Sequence, residues 1–270
     1  MLYESCASFG NSTVREVDPK TGEIRRTILV PDEQFGEGIT AHNGSLFVLT
    51  WTGRHMYIFD TDSLEHVATK LFRTSNGEGW GLTTDGTHLI ASDGSPQLTY
   101  FAMPDAQREL VVVKTLPVLG LEPLGPPHVD ITGRPIGSLN ELEYADGFVY
   151  ANVWMRDVIV KIDPGGKVQG KFDLSLLSHH SRKHPDFDPG EDWLDAVSNG
   201  IAFNASAGTF ILTGKLWPNY YFVALKEAQP KFYLSLFLFV LVLLVAVGVE
   251  GKVRQRALQR GGMGRMQGVQ

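Results

Sequence analysis

The sequence lacks several features that would assign it to a common protein class. Its 270 residues include one cysteine, Cys6, so no disulfide can form within the chain and no cysteine-rich metal site exists. The net charge is −6, which argues against nucleic acid as a partner. There is no GxxxxGK phosphate loop, no GxGxxG after a predicted strand, and no Ser-His-Asp or Cys-His pattern. The remaining composition, 43% hydrophobic and 20% charged, is that of a globular chain.

Amphipathic helical patterns are rare, and short β-branched and aromatic runs broken by turn pairs dominate instead. Four similar segments read as strand, turn and strand, with Asn-Gly, Asp-Gly or a longer turn at the centre. These inner hairpins cover residues 37–51, 80–94, 140–154 and 199–215. Outer hairpins are predicted at residues 14–30, 56–72, 98–116 and 158–172.

One inner and one outer hairpin make a four-stranded sheet, and repetition of such sheets indicates a β-propeller. Residues 2–10, LYESCASFG, read as the second half of an inner hairpin. We therefore predict an all-β, five-bladed propeller whose first blade is incomplete at its N-terminal side.

Innermost strands of a propeller surround a central channel, so the ends of the inner hairpins should meet at one mouth. Glu37 stands there between two glycines, and glycines also follow Trp80 and Asn199. Polar groups and half-exposed aromatic rings in such a place are unfavourable unless they bind something. The residues expected at the mouth are Glu37, Trp51, Trp80, Asp93, Asn140, Trp154, Asn199 and Lys215.

Eight motifs, in order, resemble the plant and bacterial type of glutaminyl-peptide cyclotransferase (glutamine cyclotransferase). They are FGEGIT, LTW, GEGWGLTTDG, ASDGS, LNELEY, ANVW, NGIAF and TGKLWP, and the likeness extends from Leu2 to Pro218. The resemblance implies a five-bladed propeller that converts N-terminal glutaminyl residues of peptides and proteins to pyroglutamyl residues with release of ammonia, without a required cofactor. It implies Glu37 as the general acid/base, in a substrate pocket of Phe35, Trp51, Trp80, Asn140, Trp154 and Lys215. The family's opening FTQGL-type strand has no counterpart here.

Two other functions stay open at this point. A membrane-tethered propeller could bind peptides without catalysis, and a metal-dependent sugar-lactone hydrolase would use several carboxylates or amides around one ion. If the channel holds a structural divalent ion, its oxygen-rich side chains favour Ca²⁺ over Zn²⁺. His179, His180 and His184 resemble a metal cluster, but their polar surroundings favour a solvated loop.

The C-terminal part of the chain has a different character. Residues 232–249 form an uncharged apolar run of roughly 27 Å as a helix, close to the hydrocarbon thickness of a bilayer. We predict a propeller domain over residues 1–225, a linker over 226–231, a transmembrane helix over 232–249 and a basic cytoplasmic tail over 250–270.

This topology places the propeller in the lumen of the secretory pathway or outside the cell. Three glycosylation sequons, at Asn11, Asn43 and Asn204, agree with that side of the membrane. No signal peptide precedes the first strand-like segment. Either an N-terminal piece is missing or the chain inserts tail-first with its body in the cytosol; the incomplete repeat favours the first explanation.

Overall fold

The computed structural model describes residues 1–8, 10–31, 34–120, 134–190 and 194–225, together with Leu243–Leu244. These residues form five antiparallel sheets, each made of strands that follow one another in the chain.

The strand bounds of the five sheets are as follows. The first sheet contains β1 (Leu2–Cys6), β2 (Thr13–Val17) and β3 (Ile24–Leu29). The second contains β4 (Gly36–His42), β5 (Ser45–Thr50), β6 (His55–Asp60) and β7 (His66–Leu71). The third contains β8 (Leu82–Thr84), β9 (His88–Ala91), β10 (Gln97–Ala102) and β11 (Val112–Pro117). The fourth contains β12 (Leu139–Ala145), β13 (Phe148–Val153), β14 (Val158–Ile162) and β15 (Val168–Asp173). The fifth contains β16 (Ser198–Asn204), β17 (Thr209–Gly214), β18 (Tyr221–Ala224) and β19 (Leu243–Leu244).

The first strands of successive sheets pack side by side around a central axis. β4 contacts β8, β8 contacts β12, and β12 contacts β16, whereas β4 contacts β1 on its other side. This confirms the predicted five-bladed, all-β propeller, with three strands in the first sheet among the described residues.

The predicted turn pairs make tight hairpins because their residues adopt the left-handed backbone conformation. Asn43 and Gly44 have φ of 46° and 76°, and Asp146 and Gly147 have φ of 52° and 86°. Positive φ at both central residues gives the turn a twist that matches the flanking strands. These turns set the register that brings the hairpin ends back to the channel.

Among the described residues, four apolar clusters hold neighbouring sheets together, and each lies between two consecutive blades. Leu46 and Val48 of the second sheet pack with Val14 of the first. Between the fourth and fifth sheets, Tyr150 packs on Phe210 with ring centroids 4.7 Å apart. Burial at these junctions, about 25 cal/mol per Å² of apolar area, is the main stabilising contribution to the ring.

The junction between the fifth and first sheets is built differently. The Tyr220 hydroxyl donates a hydrogen bond to the Glu4 carboxylate, which joins the two sheets. Leu2 on β1 and Phe203 on β16 line a cavity of about 220 Å³ between them. Ring closure in the described structure therefore depends on a polar contact more than the other junctions do.

One helix was not predicted from the sequence. Helix α1 spans Ser175–Arg182 after the fourth sheet, and its Leu177 is buried in the apolar cluster between the fourth and fifth sheets. His179 and His180 lie on this helix with exposed side chains. The prediction that these histidines are exposed to solvent is therefore confirmed. The prediction that they lie in a loop is wrong for His179 and His180, because both belong to the helix.

The predicted linker 226–231, transmembrane helix 232–249 and tail 250–270 lie outside the described residues, apart from Leu243–Leu244. These two residues pair with Val223 and Ala224 of β18 as the antiparallel strand β19. None of the helices in the described part of the chain has the length and apolar character needed to cross a membrane.

Candidate active site

Three inner strands carry a β-bulge at the same position of the repeat. On β4 the register with β5 shifts between Gly36 and Ile39, which places Glu37 in the bulge. Equivalent shifts on β12 and β16 place Asn140 and Asn199 at the corresponding position. A bulge inserts one extra residue and re-aims its side chain, and such bulges are common beside functional sites.

Glycines let the inner strands approach until their backbones touch. A Cβ added to Gly38 would lie 2.4 Å from the backbone nitrogen of Leu82, and one added to Gly81 would lie 2.1 Å from the carbonyl oxygen of Asn140. The Gly38 N–H also donates to the carbonyl oxygen of Trp80 at 2.7 Å. Three blades are therefore in direct backbone contact at the level of the bulges.

Aromatic rings surround this level of the channel. The rings of Phe35 and Trp51 meet edge to face with centroids 5.6 Å apart, and the backbone N–H of Trp51 donates to the backbone carbonyl of Phe35 at 2.9 Å. Trp80 and Trp154 make a second edge-to-face pair, also at 5.6 Å. Trp154 keeps 38% of its surface exposed, so one wall of the site is an indole open to solvent.

Glu78, which was not among the predicted site residues, connects the two aromatic pairs. Its Oε2 accepts the indole N–H of Trp51 at 2.8 Å and that of Trp80 at 2.7 Å. Both rings are thus fixed by one carboxylate oxygen. Glu78 is flanked by two glycines, as Glu37 is, and this pattern was the signal in the sequence that could have identified it.

Asp195 makes a comparable connection on the other side of the site. Its Oδ1 accepts the indole N–H of Trp154 at 3.1 Å, and its Oδ2 pairs with Lys215 Nζ at 3.1 Å. The backbone N–H of Lys215 donates to the carbonyl oxygen of Val197 at 2.9 Å, which fixes the position of the Lys215 backbone. No pattern in the sequence distinguished Asp195 from the acidic loop residues before it.

The carboxyl group of Glu37 is affected electrostatically by these charged neighbours. Burial raises its pKa from 4.5 to about 7, Lys215 acts against this rise, and the negative charges of Asp195 and Glu78 add to it. A carboxyl group with a pKa of about 7 can both accept and donate a proton at neutral pH.

Within the part of the chain that the structure describes, two amides at the mouth have buried atoms without a hydrogen-bond partner. The Oδ1 atoms of Asn140 and Asn199 are both buried and unpaired. An unpaired buried acceptor costs about 1–3 kcal/mol, so each is a place where a ligand's N–H would be favourable. Asp93, in contrast, hydrogen-bonds to other residues of the protein. Its Oδ2 accepts the backbone N–H of Asn76 at 2.6 Å, and its Oδ1 accepts the backbone N–H of Ser95 at 3.0 Å.

Two further carboxylates line the inner strand β12 and have a structural role. Glu141 accepts the backbone N–H of Ile201 at 2.8 Å, and Glu143 accepts that of Phe203 at 2.9 Å. Burial raises the pKa of both carboxyl groups, to about 7 for Glu143 and well above its ordinary range for Glu141. They join the fourth blade to the fifth.

The histidine cluster does not take part in this site. His180 Nδ1 lies 2.9 Å from the hydroxyl of Tyr221, and His184 Nδ1 lies 3.9 Å from Asp186. Across the residues that the structure describes, no three His, Cys, Asp or Glu side chains come together as metal ligands would.

Comparisons with known proteins show which family the chain resembles. A family model described as glutamine cyclotransferase matches residues 1–225. The chain is 36% identical over 231 residues to glutaminyl-peptide cyclotransferase from Arabidopsis thaliana, covering 85% of this chain but 65% of that protein's length. The crystal structure of glutaminyl cyclase from Myxococcus xanthus superposes with a TM-score of 0.66 at 28% identity, over 82% of this chain and 84% of the other.

Proposed function

The chain belongs to the glutamine cyclotransferase family, and from this premise we propose that it is a glutaminyl-peptide cyclotransferase. It would convert N-terminal glutaminyl residues of peptides and proteins to pyroglutamyl residues and release ammonia. The observation that carries the proposal is Glu37, a carboxyl group of pKa about 7 at a bulge where three blades meet.

The reaction forms one bond and breaks one. The substrate's α-ammonium gives a proton to the Glu37 carboxylate, and the freed nitrogen attacks the side-chain amide carbon. The resulting oxyanion collapses, the bond to the amide nitrogen breaks, and protonated Glu37 returns its proton to that nitrogen, which leaves as ammonia. The lactam nitrogen keeps one hydrogen, and the second proton it loses converts ammonia to ammonium. General acid–base help of this kind contributes about 10²–10⁴-fold.

The other residues at the mouth would bind and orient the substrate. The faces of Trp51, Trp80 and Trp154 suit an ammonium group and the methylene chain of glutamine. Asn140 Oδ1, buried and unpaired, can accept a hydrogen bond from the substrate's carboxamide. Lys215 can stabilise the oxyanion that forms at the amide carbon.

Replacement of Glu37 tests the function directly. Glu37→Gln keeps the size of the side chain but removes the exchangeable proton, and we expect ammonia release from a glutaminyl dipeptide to fall by at least about 100-fold. Glu65→Gln, on an exposed turn of the second blade, is the matched control and should keep full activity. Substantial turnover by Glu37→Gln would reject the assignment.

We further propose that catalysis needs no metal ion, because a carboxyl group and a lysine are sufficient for this proton transfer and charge. Ammonia release should survive treatment with a chelator. Loss of ammonia release with chelator and its return with Ca²⁺ would contradict this proposal. Hydrolysis of a sugar lactone that a chelator abolishes, with no ammonia release from a glutaminyl dipeptide, would favour the lactonase-like alternative instead. A Ca²⁺ ion of purely structural importance would raise the melting temperature without changing the rate.

The location of the enzyme is a separate proposal. The apolar run 232–249 and the basic residues after it support a single C-terminal membrane span with the propeller in the lumen or outside the cell. In that arrangement Leu243–Leu244 would lie in the membrane and not in strand β19 beside β18. Asn11, Asn43 and Asn204 all have exposed side chains, as glycosylation requires. The full chain should resist alkaline extraction from membranes and shift in mass with a glycosidase; release of the chain by alkali would contradict the proposal.

A further inference from the structure

We propose that Glu78 is a positioning residue of this site: its carboxylate holds the indole rings of Trp51 and Trp80 in the orientation that forms the pocket around Glu37. The inference rests on the proposed function for its effect on rate, but the contact itself is independent of any activity.

Two donors from different parts of the chain share one oxygen of Glu78. Glu78 Oε2 lies 2.8 Å from Trp51 Nε1 and 2.7 Å from Trp80 Nε1. An indole N–H can only donate, and hydrogen bonds to a charged acceptor are about twice as strong as neutral ones. The two tryptophans come from different blades, so this single oxygen fixes the distance between their ring edges.

The backbone that carries Glu78 is itself held on both sides. The Thr74 hydroxyl donates to the Glu78 carbonyl at 2.6 Å, and the next residue, Gly79, donates its N–H to the Trp51 carbonyl at 2.8 Å. The buried carboxylate of Asp93 anchors the same loop through the Asn76 N–H. Glu78 therefore has a fixed base from which to orient the rings.

The indole ring of Trp80 is also restricted by packing against a neighbouring glycine. Gly94 has φ of 77°, and a Cβ added there would lie 2.7 Å from the Trp80 ring. The ring thus rests against a bare backbone and meets Trp154 edge to face. Without Glu78, rotation of the indole edge would be opposed only by packing.

Charge and position can be separated by two substitutions. Glu78→Gln keeps an acceptor oxygen but removes the negative charge, whereas Glu78→Ala removes both. Since the charge of Glu78 helps to raise the pKa of Glu37, both variants should shift the pH profile of the rate to lower pH. A purely electrostatic role would make them equivalent in all respects.

The decisive measurement is a proton–nitrogen correlation spectrum of the indole N–H groups, with Trp51→Phe and Trp80→Phe used to assign two of the five tryptophan signals. We expect Glu78→Ala to move both assigned signals upfield and to accelerate their exchange with water. Glu78→Gln should keep both close to their wild-type positions, and the exposed control Glu65→Ala should leave them unchanged.

Kinetics provide the second readout. For a glutaminyl dipeptide, kcat/KM should fall at least tenfold in Glu78→Ala, mainly through kcat, and less than about threefold in Glu78→Gln at its own optimum pH. If Glu78→Ala does not fold, Glu78→Met gives the same comparison at similar volume. The proposal is overturned if the alanine or methionine variant leaves both indole signals in place, or if Glu78→Gln loses as much activity as that variant. Absence of ammonia release by the wild-type chain would reject the proposed function, while the indole signals would still decide the role of Glu78.

Discussion

Glu37 should destabilise the folded propeller at alkaline pH, and its replacement by glutamine should reverse this effect. Burial favours the neutral carboxyl group, so the pKa of Glu37 is about 7 in the folded state against 4.5 in the unfolded chain. The folded state therefore binds the proton more tightly. The favourable contribution is complete below pH 4.5 and is lost as the pH rises through 7.

The magnitude follows from the two pKa values. They differ by about 2.5 pH units, and each unit corresponds to about 1.4 kcal/mol, so ionisation of Glu37 costs up to about 3 kcal/mol of folding free energy at pH 8.5. Glutamine resembles the protonated carboxyl group at every pH. Glu37→Gln should therefore be about 3 kcal/mol more stable than the wild type at pH 8.5 and about equal to it at pH 4.5.

Urea unfolding of both proteins at the two pH values measures this difference. Other groups with raised pKa values, such as Glu141 and Glu143, are present in both proteins, so their contributions cancel when the two are compared. The control Glu65→Gln should show no gain at either pH. A gain of the same size at pH 4.5 and 8.5, or none at pH 8.5, would refute the raised pKa of Glu37.

Three further predictions concern the rest of the site. Lys215→Met removes the charge that opposes the rise in the pKa of Glu37, so the midpoint of the rate against pH, near 7 in the wild type, should move to higher pH; an unchanged midpoint would exclude this coupling. Asn140→Ala removes a buried unpaired acceptor, so kcat/KM should fall by about 10–100-fold while urea unfolding shows no loss of stability. A loss of stability without a loss of activity would show that Asn140 has a structural role instead. Gly81→Ala places a methyl group 2.1 Å from the Asn140 carbonyl and should cost about 1–3 kcal/mol by urea unfolding. Gly137→Ala, whose added Cβ would have no neighbour closer than 3.7 Å, should cost much less, and equal costs would contradict the close packing of the inner strands.

Local patterns predicted the architecture because the propeller is a repeat of short-range hairpins. The turns at Asn43-Gly44 and Asp146-Gly147 required only their own residues to be recognised, and their positions set the spacing of the blades. Glu37 could be placed at the channel because a glycine-flanked acidic residue opened an inner hairpin. Helix α1 escaped prediction since its eight residues follow a strand and have few of the usual helix signals.

The contacts of the two additional carboxylates could not be predicted, because each joins residues from different blades. Glu78 stands two residues before Trp80 but also bonds to Trp51, 27 positions earlier in the chain. Asp195 reaches Trp154 across 41 positions. The alternation of residues along a strand predicts which face of the sheet each side chain occupies. It does not predict which side chains from different blades contact one another across the channel.

The charges at the mouth explain how the pKa of Glu37 stays near 7 although a lysine acts on it. Lys215 alone would stabilise the Glu37 carboxylate and lower its pKa, which would leave the group unable to donate a proton at pH 7. Asp195 pairs with that lysine at 3.1 Å and adds a negative charge of its own. The lysine is thereby held beside the site while its effect on Glu37 is offset. A substrate that brings an ammonium group into this surplus of negative charge would lower the pKa of Glu37 on binding, and so would favour the ionised carboxylate, the form that can accept a proton from the ammonium.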